Sequence, residues 1–217
     1  YFDQPPLAIW AMIPSRALLG ETALAVRAPT LLSTVLIGHF LERLIRRLGG
    51  ELRHAAGVFL LLHATPLFFF GSGYASTDAV LMCAYLGATW AAVAVAEGER
   101  RAWWGLGVAL GVGFLGKFPI VVALAVLWPI LRQPRASADL RTPTPYLAAL
   151  LSLLLTAPVW TWSARNGWDD VVVQLHRVPT GFAPANVLRL WGASALMVTP
   201  FFAAAMAIAW RRSCRLR

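Results

Sequence analysis

Apolar residues in this chain come in long runs divided by short polar stretches. A membrane-crossing helix needs about 20 apolar residues, within a range of roughly 17–25. Seven segments approach that length: 27–44, 55–72, 79–96, 102–116, 118–131, 146–163 and 191–210. The region 102–131 is nearly unbroken apolar sequence, interrupted by Lys117 and Pro119. It fits either one long tilted helix or a hairpin of two short ones. Ahead of the first segment, Pro5–Leu19 carries Trp10, Met12 and Arg16. That stretch is too short and too polar to span, and it predicts a helix lying in the interface, with Pro5 and Pro6 at its entry. Residues 133–145, rich in Pro, Ser and Thr, predict a connector, and 164–190 is the longest polar stretch. No internal repeat is present.

Composition narrows the class. The chain has 217 residues, of which 59% are hydrophobic and 13% charged. Soluble domains carry about 25% charged residues, so a soluble fold would leave large apolar patches in water. Disorder is excluded by the same apolar content. The expected fold is therefore an all-α, polytopic membrane helix bundle of about seven spans plus an interfacial helix, forming one domain over 1–217.

Charge supplies the orientation. Eighteen Arg and one Lys face ten acids, for a net charge of +9. The basic residues sit between apolar runs, which is the pattern of topology signals rather than of a nucleic-acid surface. With 102–131 folded as a hairpin, one side holds 13 basic residues, from Arg43 to the C-terminal arginines. The other side holds six: Arg16, Arg27, Lys117, Arg165, Arg177 and Arg189. With a single span the division becomes 9 against 9 and leaves Lys117 in lipid. The hairpin is the expectation, with Lys117 at the outer surface, the N-terminus outside and the C-terminus inside. An odd span count starting outside predicts a further helix upstream of Tyr1. Trp103, Trp104 and Trp210 at inner ends, and Trp160, Trp162 and Trp191 at outer ends, read as interface anchors. Gly107 and Gly111 form a small-xxx-small step for close helix packing.

Few residues can carry chemistry. Cys83 and Cys214 make no disulfide framework, and no nucleotide-phosphate loop, dinucleotide fingerprint or zinc motif occurs. Glu21, Glu42, Glu51, Glu97, Glu99 and Asp139 read as solvated surface charge. His39 and His54 read as structural, and His63 as a hydrogen-bonded interhelical residue. Asp78, in Ser76-Thr-Asp-Ala79 at the mouth of the third segment, is either a helix cap or an acid facing a partner or cavity. Asp3 gains weight only if it shares a face with Asp78, and such paired carboxylates could hold a divalent cation. Lys117, the sole lysine, either snorkels to the headgroups or acts as a point charge for phosphate. His176 and Arg177 in the long outer loop could bind an anionic headgroup or donor phosphate. Intramembrane acids along a proton path are missing, which favours chemistry at one membrane face over transport.

Five motifs stand in order: Tyr1-Phe-Asp-Gln-Pro-Pro-Leu7, Ala25-Val-Arg27-Ala-Pro29, Ser76-Thr-Asp78-Ala, Gly116-Lys117-Phe, and Trp162-Ser-Ala-Arg-Asn-Gly-Trp168 with Gln174 and Arg177. In that order the chain resembles the bacterial members of the dolichyl-phosphate-mannose protein mannosyltransferase superfamily, glycosyltransferase family 39 type. It looks closest to the branch of lipid A aminoarabinose transferases and lipopolysaccharide galacturonosyltransferases, with similarity over essentially all 217 residues. The resemblance implies a GT-C fold in the bacterial inner membrane with its active site facing the periplasm. It implies an inverting transfer of a sugar from a polyprenyl-phosphate donor to a lipid, glycan or protein acceptor. Asp3 matches the acid of the family's juxtamembrane Pro-Pro motif, Asp78 the acid of its second outer loop, and Lys117 its lysine near the lipid phosphate. Two departures stand out. The family's acidic motif after its first helix, its usual general base, would lie upstream of Tyr1. Gln4 stands where relatives often have Lys or His, so it can bond a phosphate but adds no charge.

An inverting transfer needs a base for the acceptor hydroxyl and positive charge for the departing phosphate. The expected assignment puts Asp78 and Asp3 on the catalytic, acceptor side, and Lys117, Gln4, Arg177 and His176 at the donor phosphate. The rival expectation is a non-catalytic membrane component or a flippase for lipid-linked sugars.

Overall fold

The computed structural model describes residues 4–176, 184–198 and 204. Its elements are α1 (Leu7–Leu19), α2 (Ala23–Arg47), α3 (Leu52–His63), α4 (Pro66–Gly73), α5 (Thr77–Ala96), α6 (Ala102–Gly116), a 3-10 turn (Phe118–Val121), α7 (Val122–Leu131), α8 (Pro134–Asp139), α9 (Thr144–Arg165), α10 (Asp169–His176) and α11 (Pro184–Val198). There is no strand among the described residues. α2, α5 and α9 are long and apolar enough to cross a membrane. The chain is an all-α membrane protein. The seventh expected segment, 191–210, begins in α11 and runs on outside the described residues, as do Trp210 and Cys214.

The packing is that of helices in lipid. The core is built largely from small residues, with Ala88, Ala91, Ala92 and Ala94 fully buried. Large side chains such as Leu32, Val35, Leu60, Val126 and Leu153 point outward. Without a hydrophobic force between helices, small residues that allow close backbone approach hold the bundle together. α6 shows this best. A Cβ on Gly107 would stand 2.3 Å from the Ala148 carbonyl oxygen of α9, and one on Gly111 would stand 3.0 Å from Leu155 Cβ. On its other side, Gly113 and Gly116 face Ala84 and Val80 of α5. The expected small-xxx-small step is therefore the α6–α9 contact.

The region 102–131 is a hairpin. Lys117, just past α6, meets Asp78 at the start of α5. Beyond α7, Arg135 Nη1 donates to the Glu97 carbonyl oxygen at 2.8 Å, where α5 ends. Asp139 then accepts from Arg100 Nε and from Trp103 Nε1, each at 3.0 Å, where α6 begins. The chain thus leaves one end of the bundle at Arg100, turns at Lys117 and comes back. The same end gathers Arg47 with Glu97 and Glu99. The Arg47 hydrogen bond holds the Glu99 carboxyl below the usual carboxylate range, with nearby Arg43 adding to the effect.

Several expectations change. Segment 55–72 is not one straight helix: α3 and α4 meet at 88°. Pro66 has no N–H to continue α3, and the Thr65 hydroxyl caps α4 by accepting from the Phe68 amide at 3.3 Å. His63 is hydrogen-bonded, but within its own helix, with Nδ1 2.9 Å from the Phe59 carbonyl oxygen and its ring edge-on to Phe59 and Phe68. Asp139 is not a solvated charge; it is 7% exposed. Trp103 is no interface anchor, being 8% exposed and bonded to Asp139. His54 is structural as expected, its Nδ1 accepting from the Glu51 amide at 2.9 Å.

Two stability measurements follow. Asp139→Ala leaves the Trp103 indole and the Arg100 guanidinium without their acceptor and is expected to cost about 1–3 kcal/mol, read as a lowered Tm in detergent. Gly107→Val forces α6 from α9 and is expected to cost at least ~1–3 kcal/mol, whereas Gly57→Ala, into open space on α3, leaves Tm unchanged or slightly raised.

Candidate active site at the Lys117 end of the bundle

Three chain reversals converge at the end opposite Arg100. The first precedes α5. The Ser76 hydroxyl caps that helix, accepting from the Asp78 amide at 3.0 Å, while its proton goes to Asp78 Oδ2 at 3.2 Å. The Ser76 amide donates to Thr30 Oγ1 of α2 at 3.2 Å. Asp78 is thus not the cap. It sits in the first turn, where the helix dipole favours a carboxylate.

The second reversal is Lys117 itself. α6 ends there with the Lys117 amide donating to the Gly113 carbonyl at 2.8 Å. Pro119 opens the 3-10 turn, and its carbonyl accepts from the Tyr85 hydroxyl at 2.7 Å, which pins the turn to α5. The Lys117 ammonium donates to Asp78 Oδ1. Its side chain is 27% exposed and that of Asp78 is 60% exposed. An ammonium has three protons, so pairing with Asp78 leaves two for an arriving anion.

The third reversal joins α9 to α10. Gly167 and Trp168 both take left-handed backbone, at φ 68° and 64°. A tryptophan there is strained, and the conformation is held by the Trp168 amide donating to the Ser163 carbonyl at 2.9 Å. The turn swings α10 back so that Asp170, 2% exposed, accepts from the Ser163 hydroxyl at 2.6 Å. Its other oxygen, Oδ1, is buried with no hydrogen-bond partner.

Beside Lys117 lies a cavity of about 480 Å³, walled by Gln4, Trp10, Phe118, Pro158, Trp162 and Asp170. Gln4 Oε1 is a second buried acceptor without a partner. A separate groove of about 580 Å³ is almost wholly apolar, and Leu32, Leu36, Phe40, Val80, Trp90 and Trp104 are among its lining residues.

The structure therefore unites Lys117 with Asp78 and sets Gln4 in the adjoining cavity. His176 is exposed at the last residue of α10 and lines neither the pair nor the cavity. Asp3 and Arg177 lie outside the described residues. Among the described residues no three His, Cys, Asp or Glu side chains could together hold a metal ion. Asp170 and Ser163 are functional candidates not singled out from sequence. The signal was an acid seven residues after a serine, across an Asn-Gly turn.

An all-α membrane bundle with a lysine–carboxylate pair at one end, an aromatic-walled cavity beside it and an apolar groove defines the class. Residues 3–162 match the family described as dolichyl-phosphate-mannose-protein mannosyltransferase. The chain belongs to that family. Similar curated proteins include the undecaprenyl phosphate-alpha-4-amino-4-deoxy-L-arabinose arabinosyl transferase of Pseudomonas paraeruginosa, 33% identical over 142 residues, 59% of this chain and 26% of that protein. The Pseudomonas fluorescens transferase 1 of the same name is 30% identical over 184 residues, 78% of this chain and 32% of its own length. That of Sodalis glossinidius is 34% identical over 170 residues, 73% of this chain and 29% of its own. The chain thus matches about a quarter to a third of the length of these relatives. No solved structure matches it.

One stability test belongs to the third reversal. Ser163→Ala removes the hydroxyl that donates to Asp170 and is expected to cost about 1–3 kcal/mol, read as a lower Tm. An unchanged Tm would mean that the bond does not hold α10 in place.

Proposed function

We propose that this chain forms the donor-binding part of a membrane glycosyltransferase that moves a sugar from a polyprenyl phosphate to a lipid acceptor at the periplasmic face of a bacterial inner membrane. The observation that carries the reading is the Lys117–Asp78 pair, a half-buried ammonium held at one end of the bundle with two protons to spare. The named relatives, each a transferase of an undecaprenyl-phosphate sugar, support the donor class.

In the reaction an acceptor hydroxyl oxygen attacks the anomeric carbon. The bond from that carbon to the phosphate oxygen breaks, the polyprenyl phosphate leaves with its electron pair, and a base takes the hydroxyl proton. Lys117 stabilises the charge growing on the phosphate, as a donor already fixed in place does without reorganising. Asp78 is a positioning residue: it aims the ammonium, and Ser76 aims Asp78. This departs from an acceptor-side role for Asp78, because its carboxylate is already engaged by the lysine. Asp3, directly before Gln4 in the chain, is the carboxylate assigned to the acceptor proton. Gln4 offers the phosphate an amide, Arg177 gives positive charge to the approach of the donor, and His176 offers it a ring N–H. The apolar groove suits the hydrocarbon tail of such a donor, with almost no polar lining.

The test is sugar transfer in membranes containing the full-length protein. Lys117→Ala is expected to lower kcat by roughly a hundredfold or more, and Asp78→Asn by a smaller factor. Unchanged transfer in both variants would reject the assignment.

A further inference from the structure

The apolar groove between α2, α5 and α6 has two unlike ends. Leu7 and Ala11 of α1 line it on the Lys117 side, and Phe40, Trp90 and Trp104 line it towards the Arg100 end. Its wall on α5 runs from Val80 to Trp90, a rise of about 15 Å. That is half of the roughly 30 Å of a bilayer core, the depth of one leaflet. The slot holds about 580 Å³ and is almost wholly apolar. Such a space suits a hydrocarbon chain that reaches in from one membrane face.

A cation stands at the Arg100 end of this slot. Arg43 follows Phe40 by one turn of α2 and shares a helix face with Leu36, which also lines the groove. The Arg43 guanidinium lies over the Trp90 ring, 5.7 Å from its centroid. Arg47 lies over the same ring at 5.1 Å, but it is bonded to Glu97 and Glu99. Arg43 is exposed, and among the described residues it makes no hydrogen bond or salt bridge. Cation–π contact uses the charge of a guanidinium and leaves its N–H donors to an anion. Trp104, 41% exposed, borders the groove at the same end, and half-exposed tryptophans of membrane proteins gather at the headgroup level. A free guanidinium and the headgroup layer therefore coincide at the mouth of a slot one leaflet deep.

We infer that the groove is a binding site for an anionic glycerophospholipid of the leaflet at the Arg100 end. One acyl chain lies along α5, and the phosphodiester accepts from Arg43 beside Trp90 and Trp104. A zwitterionic headgroup brings its own cation towards the guanidinium; an anionic one does not, so charge selects the lipid. The phospholipid is the resident of the slot while no donor tail fills it.

The test is lipid retention by the full-length protein in detergent, counted by native mass spectrometry. Phosphatidylglycerol, phosphatidylcholine with the same acyl chains, and undecaprenyl phosphate are each added alone. The wild-type protein is expected to retain one phosphatidylglycerol roughly tenfold more tightly than phosphatidylcholine, as for a hydrogen bond to a charged group. Arg43→Gln is expected to erase that preference, and Arg101→Gln, the same loss of charge at the same end, to leave it intact. Val108→Trp, which fills the slot from its wall, is expected to weaken both phospholipids alike. Equal retention of the two phospholipids by the wild-type protein would overturn the inference, as would retention of undecaprenyl phosphate without phosphatidylglycerol. So would a preference that survives Arg43→Gln, one lost equally in Arg101→Gln, or retention untouched by Val108→Trp. The wild-type comparison needs no variant, so a misfolded protein leaves the test intact. Retention reads binding alone, so its outcome is independent of whether Lys117→Ala abolishes transfer.

Discussion

A lone ammonium in hydrocarbon is so unfavourable that a chain folds around the problem. Lys117 interrupts a long apolar stretch, and the bundle answers by ending α6 there, reversing, and giving the ammonium to Asp78. From that reversal the rest follows. α7 returns to the Arg100 end, Asp139 closes the hairpin on Arg100 and Trp103, and α9 is free to lie along α6. The two ends of the molecule then differ in kind. One is a lattice of arginine and glutamate; the other pairs its lysine with Asp78 beside an aromatic cavity.

The hairpin works only because α6 can be approached from two sides. Its 15 residues rise about 22 Å, less than the roughly 30 Å of a bilayer core, and its last residue, Gly116, packs against Val80 of α5. Glycines on opposite faces bring α9 and α5 close enough that a single methyl group would collide with backbone or side chain. Phe118, just past α6, and Pro158 and Trp162 of α9 line the same cavity. Packing and chemistry meet in one helix.

Much of this was legible in the residues. The basic-residue count favoured the hairpin, Pro5–Leu19 announced a separate helix ahead of the first span, and Gly107 and Gly111 marked a packing seam. Asp78 and Lys117 were expected on one face and are in contact. Other features were hidden for physical reasons. The Thr65-Pro66 break was read through because both flanks are apolar, although a capping threonine before proline is a helix start. Asp139 looked solvated because its neighbours in sequence are polar; its burial comes from α6, far away along the chain. Asp170 was indistinguishable from Asp169 by sequence. Only the left-handed turn at Gly167 and Trp168 decides which of the two acids is buried.

The central claim is that the backbone reverses at Lys117, and thiol accessibility tests it most directly. Cys83 and Cys214 are replaced by serine, and single cysteines are placed at positions 101, 117 and 135 in sealed, oriented vesicles treated with a membrane-impermeant maleimide. The account predicts that positions 101 and 135 label from one side only and position 117 from the other. Labelling of 101 and 135 from opposite sides, with 117 protected from both, would contradict it.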